Sequence, residues 1–312
     1  MATHFLGRTA VFVLGEEMLL LVSPDGSERR VNCHTGAILS SAADGERIVT
    51  GGDDGQVMST RASGESEIIA VDAKRRWIDR VALGRDGAVA WAAGKSAFVT
   101  MPRTREHTLD GPSSIGGLAF APKGLRLAVA HYGGVSLWFP NAPAAAPDRL
   151  DWRGSHLGVA FSPDGRFLVS AMQEPTLHGW RLADRRDMRM SGYSAKVRSM
   201  GWTADGRWLA SGGSEQLILW PFQGKDGPMG KSPRMLAPCD SRVEVVSCHP
   251  RDEVVAVGFA DGLALLVRVE DGAEIAAKRR GNAPVSALSW DADGTMLAFG
   301  TEDGEAGVVD LS

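Results

Sequence analysis

The chain has 312 residues, 44% hydrophobic and 23% charged, ordinary proportions for a soluble globular protein long enough to bury a sizeable core. Its 34 basic and 38 acidic residues give a formal net charge of −4, so no general electrostatic pull draws it to nucleic acid or an anionic membrane. Glycine is in excess: 38 residues, about 12%, against a usual share of about 7%.

From the N-terminus, MATHFLGRTAVFVLGEEMLLLV is apolar, but Arg8, Glu16 and Glu17 divide it into runs of strand length. No apolar run in the chain approaches the roughly 18 to 20 residues that span a bilayer, which predicts no membrane association. The three cysteines, Cys33, Cys239 and Cys248, form no CxxC pair or disulfide framework and predict a reducing, cytoplasmic setting.

The next signal is self-similarity. An apolar run, a glycine turn, a second apolar run and a charged stretch begin at Gly7 and again at Gly87. The same order returns in FSPDGRFLVSAMQEPTLHGWRL, WTADGRWLASGGSEQLILWPF, HPRDEVVAVGFADGLALLVRV and WDADGTMLAFGTEDGEAGVVDL. Aligned on the turn, the units fall at Gly7, Gly45, Gly87, Gly124, Gly165, Gly206, Asp252 and Gly294, a mean spacing of about 41 residues. That period suits propeller blades or helical pairs. Runs rich in Val, Phe, Trp and Leu, broken by Gly every few residues, favour strands over helices. Asp164-Gly165, Asp205-Gly206 and Asp293-Gly294 are strong hairpin signals, because glycine reaches positive φ without a Cβ clash.

Each unit then reads as four strands; in the sixth these are predicted over 197–202, 208–212, 217–222 and 234–236. One such unit cannot bury both faces, so the fold class is all-β, a single ring of four-stranded antiparallel blades over 1–312. Phe120, Phe161, Trp202 and Trp290, each ending an inner strand, suit packing between blades. Eight turns favour eight blades, with seven as the alternative. The first inner strand has only Ala2 to Leu6, and the last unit reaches Ser312 without an outer strand.

The pattern resembles the WD-repeat β-propeller family along essentially the whole chain, as a divergent, bacterial-type member. The family tryptophan matches Trp138, Trp180 and Trp220, and the family histidine has candidates in His34 and His156. The aspartate after the tryptophan is replaced by Phe139, Arg181 and Pro221, and the regions of Ser114, Tyr193 and Asn282 lack the histidine. The expectation is that the family's histidine, aspartate and tryptophan network is missing and that apolar contact holds the blades. The resemblance also implies a ring closed by one blade combining both termini.

Catalytic, cofactor and metal sites are not expected. The stretch from Gly224 to Ser232 has its glycines six apart where a phosphate loop needs five, and strand-like segments flank it. Cys33-His34 and Cys248-His249 lie in different units, too far apart in sequence to suggest one tetrahedral site. Asp291-x-Asp293-Gly294 lacks the remaining ligands of a calcium loop and reads as a turn. In Gly154-Ser155-His156-Leu157-Gly158 the serine stands one position too early for a nucleophile elbow.

Surfaces remain. Basic clusters at Arg29-Arg30, Lys74-Arg75-Arg76, Arg103 with Arg105, Arg185-Arg186 and Lys278-Arg279-Arg280 surround acids at Asp53-Asp54, Glu174, Glu215, Asp261 and Glu302-Asp303. The same pattern suits edge strands protected by charge. The sharpest candidate for a protein partner is RRWIDR: Arg75, Arg76, Trp77, Asp79 and Arg80 at the entrance of an inner strand, since Trp and Arg carry much interface energy. Tyr193, Lys196, Arg198 and Arg242 occupy matching entrances. Long Pro- and Gly-rich loops at 139–150 and 221–236 stand on the opposite face. The expected function is a non-catalytic scaffold for a protein partner, nucleic acid being disfavoured. The alternative is a small ligand or metal in the central channel, with a hydrolase-like activity.

Overall fold

A computed structural model describes residues 2–142 and 145–312; Pro143 and Ala144 of the 139–150 loop lie outside the described residues. Among the described residues, 29 strands form seven antiparallel sheets, and one short 3-10 turn lies at Arg85–Gly87. Numbered in chain order, sheet one runs from Ala2–Leu6 to Glu28–Asn32, sheet two from Ile38–Ala43 to Ser66–Val71 and sheet three from Arg80–Leu83 to His107–Asp110. Sheet four runs from Ile115–Phe120 to Arg186–Met190, sheet five from Met200–Trp202 to Arg234–Leu236, sheet six from Val243–Cys248 to Glu274–Lys278, and sheet seven from Val285–Trp290 to Ala306–Asp310. Within every sheet the strands lie in sequence order, the meander that short hairpins dictate. All seven turn glycines have positive φ, from +57° at Gly7 to +90° at Gly45, the conformation a Cβ disfavours.

The favoured count of eight blades is off by one. Sheets one, two, three, five and six have four strands, sheet seven has three and sheet four has six. The strand Leu127–Trp138 pairs with Ile115–Phe120 through its first half and with Asp148–Phe161 through its second. Asp148–Phe161 then continues, pairing through its own second half with Phe167–Met172. One 14-residue strand thus joins the units turning at Gly124 and Gly165 into a single sheet.

Inner strands of neighbouring sheets pack around the ring, and apolar side chains fill the gaps. Ile48 and Met58 of sheet two join Val11, Leu19 and Leu21 of sheet one, and Phe167, Leu177 and Trp180 lie among the buried residues of sheet four. Among the described residues the first and last sheets share no strand pairing. Ala2–Leu6 pairs only with Thr9–Val13, and Ala306–Asp310 only with Met296–Thr301, among the described residues. Phe5, Ala10 and Phe12 instead pack on Met296 and Ala298, so apolar contact joins the two ends. No helix of the described residues is long and apolar enough to cross a membrane.

Candidate functional site

Loops entering inner strands and loops joining second to third strands share one face, held by backbone bonds: Gly111 N donates to Lys95 O at 2.7 Å, Ala195 N to Gly213 O at 3.0 Å and Gly281 N to Asp261 O at 3.0 Å. On this face the segment from Asp72 to Asp79 connects sheets two and three. Asp72 is buried; its carboxylate accepts from the backbone N–H of Lys74 (3.0 Å) and Arg76 (2.9 Å) and from the Arg76 guanidinium (2.6 Å). The Arg76 hydrogen bond holds the Asp72 carboxyl below the usual carboxylate range, although partial burial opposes it. Arg76 also donates to Ala93 O at 3.1 Å and lies 5.8 Å from the Phe98 ring centre. At the other end Ile78 is fully buried and its N–H donates to Gly52 O at 3.0 Å.

Between these anchors Trp77 points outward, 67% exposed, with exposed Arg75 beside it. A β-carbon on Gly51 would meet Ile78 O at 2.5 Å, so the close approach that seats this loop requires glycine there. Arg80 donates through Nε to Gly116 O at 2.6 Å and lies 3.6 Å from Asp79. Asp79 and Arg80 line a cavity of about 420 Å³ with Leu39, Ser40 and Val81 of neighbouring inner strands. Leu39, itself exposed, was not a sequence candidate; its place in a short polar strand, ILSSAA, gave no signal.

The other candidates occupy a different arc. Arg242 Nε donates to Glu244 at 2.9 Å, and Arg198 lies 3.9 Å from the same carboxylate, so sheets five and six share one ionic contact. Lys196 donates to Gln173 at 3.3 Å. Tyr193 does not belong on the surface. It is 7% exposed, and its hydroxyl accepts from Trp220 Nε1 at 2.7 Å and bonds Ser211 Oγ at 2.8 Å. Burial pushes its hydroxyl up to about 12.

That contact corrects a second expectation, because a polar network survives with substituted members. Tyr193 takes the place of a histidine in sheet five. In sheet four His156 bonds Ser170 at 2.7 Å, and in sheet two His34 bonds Thr50 at 2.8 Å and Asp54 at 3.1 Å. Asp54 follows the second strand and not a tryptophan, so the dipeptide pattern alone did not show it.

The remaining near-motifs are occupied by local structure. Gly224 to Ser232 forms turns between strands. Burial pushes the thiols of Cys33 and Cys248 up to about 11 and about 12, away from the nucleophilic thiolate. His249 accepts from the N–H of Asp252 at 2.8 Å and bonds Gly294 O at 3.0 Å. Among the described residues no three His, Cys, Asp or Glu converge as metal ligands.

Comparison with known proteins supports this geometry. The family described as WD domain, G-beta repeat matches residues 186–220, the stretch holding Tyr193, Ser211 and Trp220. Telomerase protein component 1 of Mus musculus is 26% identical over 200 residues, 62% of this chain; those residues span only 7% of that protein. The computationally designed Ika8 protein superposes with a TM-score of 0.81 at 17% identity over 99% of this chain and 95% of its own. The RRP9 WD40 repeats superpose at 0.67 and 16% identity, over 88% and 89%. Together the matched repeat and the ring of antiparallel sheets support a WD-repeat β-propeller.

Proposed function

We propose that this propeller is a non-catalytic protein-interaction platform whose partner docks on the face around the channel mouth, centred on Trp77. The observation that carries the proposal is the exposure of a large aromatic on a loop whose flanks are fixed by Asp72 and Ile78. A preorganised anchor loses little entropy on binding, and Trp and Arg are among the residues most enriched at interface hot spots. The relative named as a telomerase protein component is in keeping with a role inside a larger assembly. A reducing, cytoplasmic setting belongs to the same proposal; the three cysteines are free thiols.

Affinity purification of the tagged chain with quantitative mass spectrometry tests it. The wild type is expected to retain a stoichiometric partner, and Trp77→Ala to weaken it about 30-fold, equivalent to roughly 2 kcal/mol, with an unchanged melting temperature. A clean blank, or full retention by the variant, argues against it. The cavity beside Asp79 and Arg80 favours a small ligand as second reading. Native mass spectrometry separates the two, since a retained small molecule would move the site into that cavity.

A further inference from the structure

Sheet four carries a second cavity. Loops connect the other sheets, at 72–79 between sheets two and three and at 279–284 between sheets six and seven, whereas Asp148–Phe161 runs through as one strand. Beside its middle, Trp152 to Ser155, lies a cavity of about 510 Å³, within the roughly 300–1,000 Å³ of small-molecule sites. Tyr132 reaches it from the strand on one side and Met172 from the strand on the other. Part of its wall is aromatic and fixed: Trp152 lies on His178, ring centres 3.9 Å apart and 15° from parallel. His178 is fully buried, and neither ring nitrogen has a hydrogen-bond partner among the described residues, Asp187 standing 3.5 Å from Nε2. Burial, against the pull of Asp187, pushes its pKa down to about 4, so the ring behind Trp152 is neutral at pH 7.

The charged part of the lining is uncommitted. Arg153, Arg189 and Glu174 are exposed, and among the described residues none of these side chains is in an ion pair or a hydrogen bond. The nearest acid in the strand, Asp151, is taken by Arg149 at 3.2 Å. Arg189 stands opposite His178 in the ladder, which sets it beside the ring that backs Trp152. A β-carbon on Gly154, at φ +130°, would meet Met172 Cε at 2.5 Å and Glu174 Oε2 at 3.3 Å, so glycine there lets the Glu174 carboxylate lie close to the strand. Two cations, one anion and two aromatic rings therefore line one cavity.

We propose that this cavity binds a free mononucleotide whose base carries an amino group. The base stacks on the aromatic wall of Trp152 and Tyr132, which suits any planar ring. Arg153 and Arg189 take the phosphate, since a guanidinium presents a planar fork of donors that matches phosphate oxygens. Glu174, an acceptor only, selects the amino group of the base. Inorganic phosphate leaves the aromatic wall and Glu174 unused, and a nucleoside leaves both arginines unused. The cavity shares no lining residue with the one beside Asp79 and Arg80, and failure here leaves the Trp77 platform standing.

The test is isothermal titration calorimetry of the full chain with adenosine monophosphate, adenosine, inosine monophosphate, inorganic phosphate and a short single-stranded adenylate RNA. Adenosine monophosphate is expected to saturate one site and to bind at least about tenfold more tightly than adenosine, phosphate or inosine monophosphate, whose base lacks the amino group. Arg153→Glu with Arg189→Glu changes two exposed side chains, and is expected to weaken adenosine monophosphate by about tenfold or more while leaving adenosine and the melting temperature unchanged. Glu174→Gln is expected to remove the preference for adenosine over inosine monophosphate. Should the double reversal lower the melting temperature, that ratio decides, because it does not depend on how much of the chain is folded. No saturable binding of adenosine monophosphate, equal binding of adenosine, an unaffected double reversal, or a preference kept by Glu174→Gln overturns the proposal. Tighter binding of the RNA than of the mononucleotide also overturns it and assigns the cavity to a polynucleotide.

Discussion

Tyr193 shows how a single hydroxyl replaces a histidine inside a blade. It accepts the indole N–H of Trp220 and bonds Ser211, which in turn donates to Ile218 O at 3.3 Å. Tyr193→Phe keeps the ring and strands the Trp220 donor in a dry interior, so a loss of about 1–3 kcal/mol is expected in urea unfolding, with partner binding unchanged. A neutral variant would show that the hydroxyl does not support the blade. Half-buried His4 and fully buried His178 give a pH signature. Burial pushes His4 and His178 down to about 4 from an ordinary 6.5; His178 is sealed beneath Trp152, stacked at 3.9 Å, with Asp187 3.5 Å from its Nε2. The unfolded chain takes up protons at these sites below about 6.5, while the folded chain resists until about 4. Stability is therefore full above about 6.5 and falls as pH drops toward 4, by roughly 3 kcal/mol per site. Unfolding measured at pH 7.5 and 4.5 should show that loss, and His178→Leu should reduce the slope; a slope unchanged by the variant contradicts the assignment.

At the scale of elements, the hairpins were legible because Asp-Gly turns and apolar runs obey local rules. The predicted outer strand of the sixth unit matches Arg234–Leu236, and the predicted third strand begins, like the observed one, at Leu217. The inner strand is shorter than its apolar run suggests: it starts at Met200, because Val197 is buried in a loop that packs on Leu209 and Trp220. The RRWIDR loop was recognisable by composition, but its rigidity was not. The anchoring carboxylate of Asp72 lies four residues before Arg76 and outside the motif, and the seat for Ile78 is made by Gly51 and Gly52 of another hairpin. Tyr193 and Trp77 looked alike in sequence as aromatics beside basic residues. Burial separated them, and burial depends on strands 18 residues or more away.

For the whole molecule, a 41-residue period made the ring legible, and it could not reveal which units share a strand. Sheet four forms because Asp148–Phe161 runs through the position where other units break for a loop, a tertiary event with no turn signal to mark it. The join between sheets one and seven was equally hidden, since among the described residues it rests on apolar contact between Phe5, Phe12 and Met296 and not on a turn or a pairing. Phe12 is fully buried in that seam, and Phe12→Ala is expected to cost about 3–5 kcal/mol and to loosen sheets one and seven first. Hydrogen exchange should then show earlier opening at 2–13 and 296–310 than at 243–268; uniform loss would mean the ring opens elsewhere. The most direct measurement of the platform role is hydrogen-exchange footprinting of the native complex. Docking on the channel-mouth face predicts protection of residues 72–80 with no change at the hairpin turns around Gly124, Gly165 and Gly206. Protection confined to those turns would place the partner on the opposite face and contradict the role assigned to Trp77.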